Sequence, residues 1–191
     1  MKKNLIIMFT ILLASASIVW SGEDKVIASG TEHIGDIKLG NINLKIQEGA
    51  AVQGNIFIEE GDLYLASGAN IKGTANIHKG IINIGDKTEV LGNIFIEEGD
   101  LFIGSLVTID GSIIIKKGNI FIKDDVAITM VVSVENGIVT MGNKCTIKND
   151  IVCKNGTVEI GANTTIFGDV YAADLTKGTN SDIRGKFYQS K

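Results

Sequence analysis

Proline is absent from this 191-residue chain, and cysteine (two), histidine (two) and tryptophan (one) are scarce. Average usage would supply about nine prolines. Their absence excludes collagen-like and proline-rich linker architectures, and it suits strands in which every N–H is needed for a ladder. Two cysteines cannot build a disulfide framework. No excess of one charge stands out: 18 basic residues face 22 acidic ones, for a net charge of −4. The basic face expected of a nucleic-acid binder is missing. There is no Walker-type phosphate loop, so no nucleotide is expected. His33 and His78 are isolated. The adjacent carboxylates Glu59 and Glu60, repeated at Glu97 and Glu98, have no cleft-forming insertion around them that would support glycosidase-like acid/base work. No catalytic, metal-binding or cofactor-binding residue is assigned, and the chain is read as a non-enzyme.

Hydrophobic residues make up 45% of the chain, and 23 residues are glycine. That is too apolar for ordinary disorder. Lys2 and Lys3 precede an apolar run from Leu5 to Trp20, which Ser21, Gly22, Glu23 and Asp24 end. A basic start, an apolar stretch and small residues read as a secretory signal. Cleavage is expected after Ala14-Ser15-Ala16 or after Val19-Trp20-Ser21. The run is short for a spanning helix, which needs roughly 20 residues. Residues 1–21 are thus a signal peptide or a membrane anchor, and the body is expected outside the cytoplasm, in a periplasm or on a cell surface. The alternative is a chain tethered to the membrane through residues 5–20.

The body repeats every 19 residues. Gly61, Gly80, Gly99, Gly118, Gly137 and Gly156 form one series, and Gly35, Gly54, Gly73, Gly92 and Gly111 another. The second series breaks at Met130 and Asn149 and resumes at Gly168. The stretch GNIFIEEGD at 54–62 recurs at 92–100. At this period whole columns are apolar. One runs Ile37, Ile56, Ala75, Ile94, Ile113, Val132, Ile151, Val170, and another Leu44, Leu63, Ile82, Leu101, Ile120, Val139, Val158. Apolar pairs two residues apart mean strand, with both side chains on one face. Three such pairs per repeat mean three short strands and three corners. One repeat cannot bury its own face, whereas a stack can. The reading is all-β: a parallel β-helix with a three-sided core of about seven to eight 19-residue coils. Its expected span is 35–186, between a short polar flank at 22–34 and a tail at 187–191. Cys145 and Cys153 fall in inward columns and read as buried thiols.

Two outward features remain. Glu59, His78, Glu97, Lys116, Glu135 and Lys154 form a column that mostly alternates in sign, which supports register. Outward aromatics form two rows, Phe57, Phe95 and Tyr171 on one strand position and Tyr64, Phe102 and Phe121 on another. They read as a lateral or partner-binding surface, or as simple cross-strand stacking. Solenoid ends expose unpaired edges unless capped. The expected self-contact residues are Ile37, Leu39, Leu44 and Ile46 at one end and Val170, Ala172, Ile183 and Phe187 at the other.

The pattern of glycine, alternating Ile/Leu/Val and a second glycine, as in GNIFIEEGDLYLASGANIKG, resembles the bactofilins over about residues 34–185. That resemblance implies a right-handed triangular β-helix that polymerises end to end without nucleotide, as a cytoskeletal or scaffolding element near the membrane. The partners implied are further copies of the chain and membrane or cell-envelope components. The export-like N-terminus sets this chain apart from the cytoplasmic habit of that family and points to an exported or membrane-tethered relative. The competing expectation is an exported, monomeric β-solenoid adhesin or binding module that uses the aromatic rows.

Overall fold

A computed structural model describes residues 18–21 and 24–190; of 18–21 it describes the backbone alone. The described residues contain strands, turns and bends but no helix. The strands form three parallel sheets wound as a three-sided solenoid of nine coils. Sheet 1 has nine parallel strands from Asp24–Ile27 to Asp174–Lys177, plus Ile18–Ser21 on its outer edge. Sheet 2 runs from Glu32–Ile34 to Asp182–Ile183, and sheet 3 from Ile37–Leu39 to Phe187–Gln189. At the usual strand spacing of 4.7–4.9 Å, nine coils stand about 40 Å tall.

The sequence columns become physical columns. Leu44 lies opposite Leu63, Ile56 opposite Ile37, and Val52 opposite Ile71. Each inward column stacks Ile, Val and Leu on themselves along the axis, and these side chains are the core. β-branched residues suit this pleated, crowded interior. Cys145 and Cys153 are free and buried within it.

Corners are of two kinds. Where glycines stack, only glycine fits: at φ +147° in Gly99, an added Cβ would lie 1.8 Å from the Gly80 carbonyl oxygen. Another corner holds one residue per coil in left-handed conformation. Gly30, Gly49 and Gly68 occupy it first, then Lys87, Leu106, Asp125, Lys144, Asn163 and Asn180 at φ 56–60°. No glycine signals these later positions in the sequence.

The solenoid is longer than the expected 35–186. Asp24–Ile27 pairs in parallel with Asn43–Ile46, and Glu32–Ile34 with Ala51–Gln53, so the supposed polar flank is the first coil. Ile27, 19 residues before Ile46, carried that signal, but Lys25 and His33 interrupt the apolar columns of Leu44 and Val52. At the other end the last coil is short. Asp174 lies opposite Thr157 and Phe187 opposite Val170, 17 residues apart rather than 19. The charged corner is trimmed at Ala173–Asp174, which moves Phe187 out of the 19-residue column. The expected tail thus begins with the last strand of sheet 3. Of the expected leader, residues 1–17 lie outside the described residues.

Candidate functional site

Each corner is held by a ladder of side-chain carbonyls and carboxylates. Asn43 Oδ1 accepts the Asp62 N–H at 2.8 Å, and Asp62 Oδ1 accepts that of Ile81 at 2.8 Å. A second ladder begins with Asp36 Oδ1, which accepts the Asn55 N–H at 2.8 Å, and Asn55 Oδ1 accepts that of Thr74 at 2.9 Å. It closes with Asp169 Oδ1 accepting the Lys186 N–H at 2.7 Å. Asp86 does the same for Ser105 at 2.8 Å. A turn N–H that would otherwise face solvent is thereby satisfied by the coil beside it. Reading the columns for apolar residues alone missed these ladders; the Asx residues following the corner glycines were the available signal.

The outward charged columns pair along the axis. His78 Nδ1 lies 2.8 Å from Glu97 Oε2, and Lys116 Nζ lies 3.0 Å from Glu97 Oε1. Lys117 reaches Glu98 at 2.6 Å and Lys154 reaches Glu135 at 3.2 Å. Lys116, then His78, hold the Glu97 carboxyl below its ordinary pKa, and Lys117 does so for Glu98. Glu59 is 4.0 Å from His78 Nε2, as part of this column.

The aromatic rows are less continuous than expected. Phe102 and Phe121 stack at 5.0 Å, and Tyr171 stacks on Tyr188 at 4.8 Å. Asn76 separates Phe57 from Phe95, and Asn83 separates Tyr64 from Phe102. Lys38 lies over Phe57 and Lys116 over Phe95, each at 5.7 Å. Tyr64 donates to Asp62 at 2.8 Å. An open depression of about 500 Å³ lies between Phe57 and Phe95 over Asn76.

The ends differ from the rows in kind. At the C-terminal end, Asp174–Lys177, Asp182–Ile183 and Phe187–Gln189 are the last strands of their sheets. Phe187 and Tyr188 are each 42% exposed, and Arg184 stacks over Phe167 at 4.1 Å. At the N-terminal end Glu32–Ile34 and Ile37–Leu39 are edge strands, with Ile34 72% exposed. Among the described strands only sheet 1 is extended there: Ile18–Ser21 runs antiparallel to Asp24–Ile27, the one antiparallel pair among them. Ile37, Leu39, Ile183 and Phe187 sit on terminal strands, where Ile37 is buried, Leu39 and Ile183 pack partly buried against the core, and Phe187 is exposed. Leu44 and Ile46 do not, because Asp24–Ile27 covers them, and Val170 and Ala172 are covered by Phe187–Gln189.

Two polar side chains take core positions in the first coil. Lys25 lies in the Leu44 column and His33 in the Val52 column. His33 Nε2 is buried without a partner among the described residues. Desolvation pulls both pKa values down, and the Lys25 charge adds to the effect on His33. Burial pushes the Cys145 and Cys153 thiols up, the direction of unreactive thiols. Among the described residues no group of three or more His, Cys, Asp or Glu is placed to hold a metal ion. No protein family, curated protein or solved structure matches the chain.

Proposed function

We propose that this chain is a structural, self-assembling protein whose solenoids stack end to end without nucleotide. The observation that carries the reading is the C-terminal end. Three strand edges terminate there side by side, with Phe187 and Tyr188 half exposed and no capping element over them among the described residues. Uncapped edges of this kind template further pairing, and solenoids that stay monomeric carry polar caps. The resemblance to bactofilins supports the same reading, as a scaffold or cytoskeleton-like element near a membrane. The leader-like N-terminus supports export, to a periplasm or cell surface, with membrane and envelope components as further partners.

Sedimentation of residues 22–191 tests this. Most of the protein is expected to pellet above a threshold concentration, with no nucleotide added. Phe187→Lys, which sets a charge on the exposed end strand, is expected to leave it in the supernatant with an unchanged melting curve. A Phe187→Lys protein that pellets like its parent would overturn the end contact. One observation favours a binding module instead, the open depression between Phe57 and Phe95. That reading predicts a persistent monomer whose partner binding is lost in Phe57→Ala.

A further inference from the structure

The geometry points to a second copy of this chain as the occupant of the outer face of sheet 3, docked face to face with its solenoid axis reversed. The pairing uses neither end of the solenoid, so it stands apart from the end-to-end stacking proposed above. The face offers both a slot and the ring to fill it. Phe57 and Phe95 flank Asn76 from the coils on either side, about 9.6 Å apart at the usual strand spacing. Phe102 stacks on Phe121 at 5.0 Å, so one more phenyl ring fits between Phe57 and Phe95. The depression over Asn76, about 500 Å³, has room for it. Lys38 and Lys116 lie over the two rings at 5.7 Å. They come from the coils beyond the pair and leave the inner ring faces free. Phe57 and Ile114 are exposed on the same face.

A two-fold axis parallel to the strands, passing between the Asn76 and Phe95 coils, makes the face self-complementary. It reverses the order of coils in the partner and keeps each residue's position along its strand. Phe95 of each copy then enters the other's slot at the level of Asn76, and Phe57 meets the partner's Ile114. Four rings follow one another along the solenoid: Phe57, the partner's Phe95, Phe95 and the partner's Phe57. Six coils of a five-residue strand make a contact of about 29 Å by about 17 Å. Over both copies that is about 1,000 Å², at the low end for a specific interface.

Charge selects this register. One outward column runs Glu59, His78, Glu97, Lys116, Glu135, and the next Glu60, Lys79, Glu98, Lys117. In the pairing Glu59 faces the partner's Lys116 and His78 faces the partner's Glu97. Glu60 faces the partner's Lys117, and Lys79 the partner's Glu98. Symmetry makes each of these twice. Lys38 meets the partner's Ser133, beside the partner's Glu135. No like charges face each other in these columns. A shift of one coil sets Glu59 against the partner's Glu97 in one direction and against the partner's Glu135 in the other, and like charges in register repel. A shift of two coils matches signs again. In one direction it leaves the slots empty, and in the other it shortens the contact from six coils to four.

The test is sedimentation velocity of residues 22–191, which hold all nine coils, run below the pelleting threshold with Phe187→Lys in the background. A weak dimer, in the micromolar range, is expected. Glu59→Lys and Lys116→Glu are each expected to raise its dissociation constant by about tenfold or more. An equimolar mixture of the two is expected to recover the parent's affinity, because each altered position then meets its opposite charge in the mixed dimer. Asn76→Phe continues the ring ladder within the chain and fills the slot. It is expected to abolish the dimer while the melting temperature holds or rises. Melting curves identify any variant that loses its fold. Single charge variants that pair like the parent, or weak singles that do not recover when mixed, would overturn this register. An Asn76→Phe protein that still pairs would overturn the slot. A parent that stays monomeric at every concentration would overturn the pairing and leave the face to a partner of another kind. Pelleting of the chain without Phe187→Lys is scored separately, so end-to-end stacking and lateral pairing can each fail alone.

Discussion

Single residues carry the corners and the register. Leu106 holds φ 60° and is 53% exposed, so its side chain gains little from the fold while its backbone is strained. Leu106→Gly is expected to stabilise by up to about 1 kcal/mol, read as a raised melting temperature. The reverse experiment at a stacked corner is severe. Gly99→Ala sets a Cβ against the Gly80 carbonyl and is expected to cost several kcal/mol, about 4 or more. Glu97 and Glu98 have lowered pKa values in the folded state. Their contribution is present above the ordinary carboxylate pKa of 4.5 and is lost as pH falls through the folded values. Melting temperature should therefore fall as pH drops below 4.5, and less steeply in Glu97→Gln/Glu98→Gln. Both pairs are open to solvent and screened by salt, so the difference should shrink in high salt. Cys145 and Cys153 lie in the core, and a thiol reagent is expected to label them only after denaturant opens the coils.

At the scale of the strand and the coil, much of the architecture was legible in the sequence. The 19-residue columns place three strands per coil because a period of two within each pair fixes which face is inward. Seven coils obey that pattern, and their strands stand where the columns put them. The ends broke it for two physical reasons. Lys25 and His33 take inward positions in the first coil, so an apolar pattern misreads it as a flank. The last coil is two residues shorter, so Phe187 falls off the column although its strand pairs with Val170–Ala172. The same two departures misplaced the expected end contacts: Leu44, Ile46, Val170 and Ala172 each lie one coil inside. The left-handed corner at Lys87, Leu106 and Lys144 was illegible because a neighbouring coil holds the backbone there, without a residue that prefers the conformation. Because coils contact only their neighbours, a cavity in one is felt locally. Ile113→Ala, in the middle of sheet 3, is expected to cost about 2–5 kcal/mol and to separate unfolding of the two halves in a denaturant titration.

For the whole molecule, both ends are built of unfinished ladders, and their side chains set how tightly they close. His33 presents a buried, unpartnered nitrogen at the N-terminal end. Leaving it unpaired costs stability within the first coil. His33→Val would restore the column of Val52 and is expected to raise the melting temperature; an unchanged or lower melting temperature would contradict that cost. The measurement that bears most directly on the account is electron microscopy of negatively stained residues 22–191, without nucleotide, with diffraction along any filament axis. The account predicts thin uniform filaments with a strand repeat near 4.8 Å and a subunit repeat of about 43 Å, nine coils per copy. Single folded particles about 40 Å tall, at every protein and salt concentration, would contradict it.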